Sequence, residues 1–253
     1  MAWGYLFPTA CVFAVLSRKQ PLTRKTKSRM PSSTVPDFNS IAPVYDLMAK
    51  LVFGKAQQQA QAHFLSLVPA NARVLILGGG SGWILPELLR QSNPGYVLYL
   101  EPSPKMVGKA QDRLAKVATE TEVEFRLGTE KDLLPHETFH VVLTPFVLDL
   151  FSPDQALGMM QRLSQALLPG GLWLHTDFCT PKTQPLWQKL LLWGMYRFFR
   201  VVSHISARGL PPFEALFQEI GYKTRHDAFF YAGFIRAQVL QKSGIPPQGT
   251  NWA

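Results

Sequence analysis

This chain predicts an α/β domain built on a mostly parallel sheet, and three features predict it. Short apolar runs suited to buried strands alternate with amphipathic helical stretches between residues 73 and 176. The first run leads into a glycine cluster, Gly78-Gly79-Gly80-Ser81-Gly82, that opens a helix. Hydrophobic residues are 47% of the 253 and charged residues 17%, enough apolar material for a sizeable core and too much for a disordered chain.

The elements follow in order. Asn39 and Ser40 can cap a helix starting near Ile41 that carries Tyr45, Leu47 and Met48. Residues 54–67, rich in Gln and Ala, read as a second helix. Strands are expected at 73–77, 96–100, 122–127, 139–143 and 172–176. Helices are expected between them at 84–90, 105–118 and 156–167, the last stopped by Pro169-Gly170-Gly171. Right-handed crossovers between such strands make a Rossmann-like sheet. Beyond it lie an apolar helix at 186–202, a helix at 212–220 stopped by Gly221, and two strands at 222–227 and 232–240 that form an antiparallel ending.

Charge separates the ends from the body. Lys and Arg total 26 and Asp and Glu 17, hence +9; residues 1–29 hold six of the cations and no acid, leaving 20 cations against 17 acids elsewhere. The basic balance belongs to a leader, residues 1–37, and not to a stripe on the fold, so it does not point to nucleic acid. In that leader an uncharged apolar run, 3–16, precedes the cations. It is too short to span a bilayer, and its charges follow the apolar run, the reverse of a secretory signal. Two readings stand: a weak membrane-surface anchor with a polybasic flank, or a disordered extension with Met30 as the working start. Residues 243–253 are expected to be a flexible tail. The two cysteines, Cys11 and Cys179, can form neither a disulfide framework nor a four-cysteine zinc site. No metal site is expected, and the location expected is the cytoplasm, with membrane association if the leader is an anchor.

The glycine loop carries the chemistry. Glycines turn tightly and let a ligand approach the backbone, and helix N-terminal amides favour a carboxylate or phosphate. Glu101, at the tip of the second strand and 19 residues past Gly82, can accept hydrogen bonds from both hydroxyls of a ribose. Together they point to a nucleoside-bearing ligand. Trp83 stands where the third glycine of a dinucleotide fingerprint belongs, which argues against NAD.

On these residues the chain resembles the class I S-adenosylmethionine (SAM)-dependent methyltransferases over residues 38–242. The resemblance rests on the loop at 78–82, Glu101, the segment Gly128-Thr129-Glu130-Lys131-Asp132, the fourth strand running into Thr144-Pro145-Phe146-Val147, and Pro169-Gly170-Gly171 before the fifth. It implies a seven-stranded, mostly parallel sheet with an antiparallel C-terminal strand and a helical N-terminal cap. The opening residues 38–46 are similar to those of ubiquinone/menaquinone C-methyltransferase-like members. The resemblance further implies SAM as cofactor, with Gly78, Gly80 and Gly82 at its methionyl part. It implies Glu101 on the ribose, Met106 near the adenine, Thr129 and Glu130 at the adenine edge, Thr144 on the methionine side, and Tyr45 as a cover. Two positions depart from the family pattern: Ile76 stands where an acid usually precedes the loop, and Thr129 where an aspartate is frequent.

The function expected is methyl transfer to a small lipophilic or aromatic acceptor, such as a quinone precursor. The alternatives are a SAM-binding protein without catalysis, motivated by Ile76, and an NAD-type oxidoreductase. A base is needed only where the acceptor must lose a proton. The candidates near strand tips are Asp149 and Asp177. Asp149 also reads as a helix cap, Asp177 as a turn residue, His175 as a satisfied core histidine and His204 as solvent-exposed. In the helix at 186–202, with Lys189 at zero and about 100° per residue, Arg197 falls at about 80° and Arg200 at about 20°, so the cations share one face of an otherwise apolar helix. Two readings compete: a helix buried between the sheet and a neighbour, or a functional surface, either a lid over a lipophilic acceptor together with the helix at 212–220, or a face that dips into a membrane interface with Lys189, Arg197 and Arg200 at the headgroups. The sequence does not decide the oligomeric state.

Overall fold

The structure, a computed structural model, describes residues 52–180, 185–203 and 209–243. The expected helix at 41–48 with Tyr45, the leader, His204 and the tail lie outside them.

A short helix α1 (Ala56–Ala62) and a 3₁₀ turn (Leu65–Leu67) precede β1 (Arg73–Leu77). Then follow α2 (Ile84–Ser92), β2 (Tyr96–Glu101), α3 (Pro104–Leu114), β3 (Glu122–Leu127), β4 (Phe139–Pro145), α4 (Pro153–Ala166) and β5 (Leu167–Phe178). The chain closes with α5 (Leu186–Ser203), α6 (Phe213–Glu219), β6 (Tyr222–Phe230) and β7 (Ile235–Lys242). The strands form one sheet in the order β3-β2-β1-β4-β5-β7-β6. β1 to β5 pair in parallel, and β7 runs antiparallel to both its neighbours. This is the Rossmann-like sheet with an antiparallel ending that the sequence led us to expect.

Strand period two builds a core on each face. Leu75, Leu77, Leu98, Val142 and Trp173 face one way, into a cluster with Met160 and Leu163 of α4 and Phe217 of α6. Val74, Ile76, Val97, Tyr99, Val141 and Leu143 face the other, against Leu85 and Leu88 of α2 and Ala110 of α3. Local chemistry starts the helices. The Ser103 hydroxyl accepts from the Met106 N–H with Pro104 next in line, opening α3. Ser152 and Gln155 form a reciprocal capping box, with Pro153 in the first turn of α4.

Several boundaries moved. The expected helix at 54–67 breaks after Ala62, and only a 3₁₀ turn resumes it. β5 is longer than the run 172–176 because β4 and β7 supply partners along it, down to Phe178 opposite Ile235. β7 begins at Ile235 and not at 232, because the turn uses Tyr231, Ala232 and Gly233 with φ of 50°, 51° and 80°. β1 and β4 are neighbours, yet β2 departs from β1 on the opposite side. The crevice that this reversal opens at their C-terminal ends is where ligands of such sheets bind.

Two glycines test the packing. A Cβ at Gly158, inside α4, would meet nothing within 4 Å. Gly158→Ala is expected to raise the unfolding free energy by about 0.5–1 kcal/mol through helix propensity. Gly82 has φ +82°, and its Cβ would lie 2.4 Å from that of Ala110. Gly82→Ala is expected to cost roughly 2–4 kcal/mol through strain and overpacking. Chemical denaturation of both variants checks the pair.

Candidate functional site

The crevice is organised around one residue, Gly80. The Gly80 N–H donates to Oε2 of Glu101 at 3.1 Å, and the Gly80 carbonyl accepts from the Tyr99 hydroxyl at 2.9 Å. Tyr99 and Glu101 are two apart on β2, so the pleat sends both side chains to the face where the loop lies. The other carboxylate oxygen of Glu101 accepts from the Ser103 N–H at 3.0 Å. Glu101 is 4% exposed, and burial pushes its carboxyl up to about 7 against the pull of these two backbone donors.

The glycines do different jobs. A side chain at Gly78 would strike Val147 and one at Gly82 would strike α3, so these two allow close packing. Gly80 has φ +59° and nothing within 4 Å of its missing Cβ. It is therefore the loop position whose backbone faces open space beside an acidic side chain. The Gly78 N–H is itself held by the Leu100 carbonyl at 2.9 Å, tying the loop to the strand that ends in Glu101. The residues fit a ribose-bearing ligand: an open cradle of backbone next to a carboxylate with acceptor capacity to spare.

The other sequence-derived positions have varied engagements. Met106 is buried in the first turn of α3. Thr129 caps a 3₁₀ turn, its N–H donating to Asp132 at 2.9 Å, while Glu130 is buried beside it with its carboxyl raised by desolvation. Thr144 is fully buried in a core network: the Trp173 indole N–H donates to its hydroxyl at 3.0 Å, and that hydroxyl meets Nδ1 of His175 at 3.1 Å. His175 stacks near Phe213 and Phe217, and burial pushes its imidazole down to about 3. It stands neutral at ordinary pH, as a core histidine would.

Asp149 and Asp177 come together. Asp149 lies on a 3₁₀ turn (Leu148–Leu150) just past β4, and Asp177 near the end of β5. The Asp149 N–H donates to Oδ2 of Asp177 at 3.3 Å, and the two residues are 6% and 1% exposed. Oδ1 of Asp149 has no hydrogen-bond partner among the described residues. Burial raises both carboxyls; Asp177 is raised further by the charge of Asp149, and its proton bonds back to Asp149. Two buried carboxyls this close disfavour a second negative charge, so the pair keeps a proton to higher pH than separate carboxylates would. Val147 packs on the glycine loop two residues earlier, so the acid pair sits next to the cradle.

Several residues here went unnoticed in the sequence. Phe146, in a strained left-handed conformation with φ 54°, stacks 5.0 Å from Phe178, which lies 5.2 Å from both Phe53 and Phe234. Leu191, Leu192 and Met195 of α5 close over this aromatic cluster, and Tyr196 donates its hydroxyl to the Asp149 carbonyl at 3.3 Å. The inward spacing Gln188, Leu192, Tyr196 on α5 was a usable signal, hidden because both faces of that helix are apolar. α5 thus packs against this aromatic cluster and touches the acid pair.

Comparison with known proteins places this geometry. Residues 74–171 match the family model described as "Methyltransferase domain". An 81-residue stretch is 27% identical to the carboxy-S-adenosyl-L-methionine synthase of Shewanella halifaxensis, covering 32% of this chain and 33% of that protein. The chain thus spans about a third of the curated relative it matches. Among solved structures, the magnesium protoporphyrin IX methyltransferase of Synechocystis PCC 6803 with bound SAH superposes with a TM-score of 0.63 at 16% identity, covering 81% of this chain and 96% of that one. A mitomycin 7-O-methyltransferase gives 0.62 at 18% identity, covering 82% and 61%. Residues 74–171 thus match a methyltransferase domain model, and the sheet has the Rossmann-like fold of the methyltransferases it superposes on.

The buried acids set a pH dependence. Each carboxyl keeps its proton to higher pH in the folded chain than in the unfolded one. The folded state therefore binds more protons between about pH 4 and 7, and stability falls as pH rises through that window, by at most about 1.4 kcal/mol per pH unit for each group. Asp149→Asn replaces a repelling carboxyl by an amide that can donate to Asp177. Thermal unfolding from pH 5 to 8 is expected to show a shallower decline than in the unmodified protein and a higher midpoint at pH 7.5. Parallel curves would remove the shared-proton assignment.

Proposed function

We propose that this protein is a SAM-dependent methyltransferase acting on a small lipophilic or aromatic acceptor that gives up a proton. The observation that carries the proposal is the contact between the Gly80 amide and Glu101 at the tips of β1 and β2. It joins an open glycine cradle to a ribose-binding acid. When bound, SAM supplies a methyl group already activated by its sulfonium.

The chain's residues then have these roles. Gly78, Gly80 and Gly82 bring backbone against the methionyl part, and Glu101 accepts from the two ribose hydroxyls. Its ionised form binds better, and hydroxyl donors favour that form. Met106, Thr129 and Glu130 lie towards the adenine, Thr144 at the β4 tip, and Tyr45 as a cover from the segment before α1. Phe146, Phe178 and Leu192 exclude water and hold the acceptor in line with the transferred methyl, which is catalysis by positioning. Asp149 would take the proton of the acceptor's hydroxyl as that oxygen gains the methyl and the methyl–sulfur bond breaks to release SAH, while Asp177 keeps the proton the pair already holds. A phenol of the quinone-precursor type suits these aromatic walls.

Calorimetry tests the cofactor half. Glu101→Gln keeps the volume but puts an amide donor opposite the Gly80 or Ser103 N–H. It is expected to weaken SAM binding about 100-fold, and unchanged affinity would sink the ribose assignment. Release of SAH on incubation with a lipid extract tests the reaction. Asp149→Asn is expected to retain SAM affinity within a few-fold and to lose at least 100-fold in rate. A full rate in that variant would show that the acceptor needs no base from Asp149.

A further inference from the structure

Helix α5 has two faces that do opposite things. Its inner face is anchored: the Gln188 amide donates to the Ala232 carbonyl at 3.0 Å, Tyr196 reaches Asp149, and Leu192 joins the aromatic cluster. These attachments fix the rotation of the helix and turn its outer face to solvent. That outer face carries Leu186, Leu190 and Trp193, exposed at 76%, 68% and 67%, with Trp187 at 44% beside them. The spacing of four and three residues makes them one stripe, and Arg197, one turn on, is exposed in line with it. Lys189 is exposed on its flank, and no acid occurs anywhere in Leu186–Ser203.

Leaving these large apolar side chains in water is unfavourable, and a free surface helix gains nothing by it. The stripe from Leu186 to Arg197 is about 16 Å long at 1.5 Å per residue, and no described helix is long and apolar enough to cross a membrane. Leucines and tryptophans facing out, cations at the edge and no acid on the helix suit a surface that is apolar within and anionic at its boundary. We propose that the outer face of α5 docks in the plane of an anionic lipid bilayer. Leu186, Leu190 and Trp193 enter the acyl boundary, and Lys189 and Arg197 pair with headgroup phosphates. The surface stands apart from the methyl-transfer reading. If that reading holds, the docked helix also sets the aromatic cluster against the source of a lipophilic acceptor.

Vesicle flotation of the full chain tests it. Phosphatidylcholine vesicles containing about one third phosphatidylglycerol are expected to carry the protein, pure phosphatidylcholine vesicles much less, with binding falling as salt rises. Leu190→Glu with Trp193→Glu is expected to lower partitioning at least tenfold. Lys189→Glu with Arg197→Glu, which leaves the apolar stripe intact, is expected to lower it at least fivefold with an unchanged melting temperature. Absence of flotation overturns the proposal. So does flotation that neither double variant weakens, since binding then comes from the basic leader. A protein that fails to float, and whose larger species in gel filtration is split by the Leu190/Trp193 variant, also overturns it and makes the face a contact between copies. Calorimetry with SAM on the same variants reads the cofactor site separately, so failure of one reading is distinguishable from failure of the other.

Discussion

The grip of Glu101 on the Gly80 amide is the constraint around which the rest is arranged. A carboxylate is held where water scarcely reaches, which by itself disfavours its charge. Two backbone N–H groups offset part of that cost, and they come from different places: Gly80 from the loop after β1, Ser103 from the start of α3. The acid therefore locks the loop to the second strand and to the third helix at once. Tyr99, two residues back on the same strand face, holds the Gly80 carbonyl, so Gly80 is held through both of its flanking peptide groups. A loop so held presents its one open position without having to order itself when a ligand arrives.

On the far side of Val147 lies a pair of buried acids. Two acids from separate strand tips meet where neither is solvated, and one proton between them is the arrangement with least unpaired charge. Tyr196 donates to the backbone of Asp149, so the helix that closes over the aromatic cluster also touches the acid pair. The seating of α5 is thus coupled to the acid pair through one hydrogen bond and a layer of phenylalanines. That coupling gives the outer face of α5 its importance, since whatever holds that face bears on the aromatic cluster and the acids beside it.

The legible and illegible parts divide along physical lines. β1 to β5 could be read because each is a short apolar run bounded by breakers, and alternation with helices implies parallel pairing. The loop at 78–82 and Glu101 could be read together because their separation matches one helix and one strand. Strand ends could not, because partners across the sheet decide them, as β7 does for Phe178. The break after Ala62 was hidden in an unbroken run of helix-forming residues. Thr144 looked like a strand-tip residue for a ligand, and its hydroxyl is engaged in the core by a tryptophan and a histidine 29 and 31 residues away.

Sequence alone determined the class of fold, the glycine cradle and the acid beside it, since these rest on local backbone freedom and on periodicities that a linear chain displays. Tertiary structure alone decided that Asp149 and Asp177 share one buried spot, that four phenylalanines from four segments stack beside it, and which face of α5 meets solvent. The reason is that burial and proximity belong to pairs of segments distant in the chain, and no local pattern encodes the distance between two strand tips.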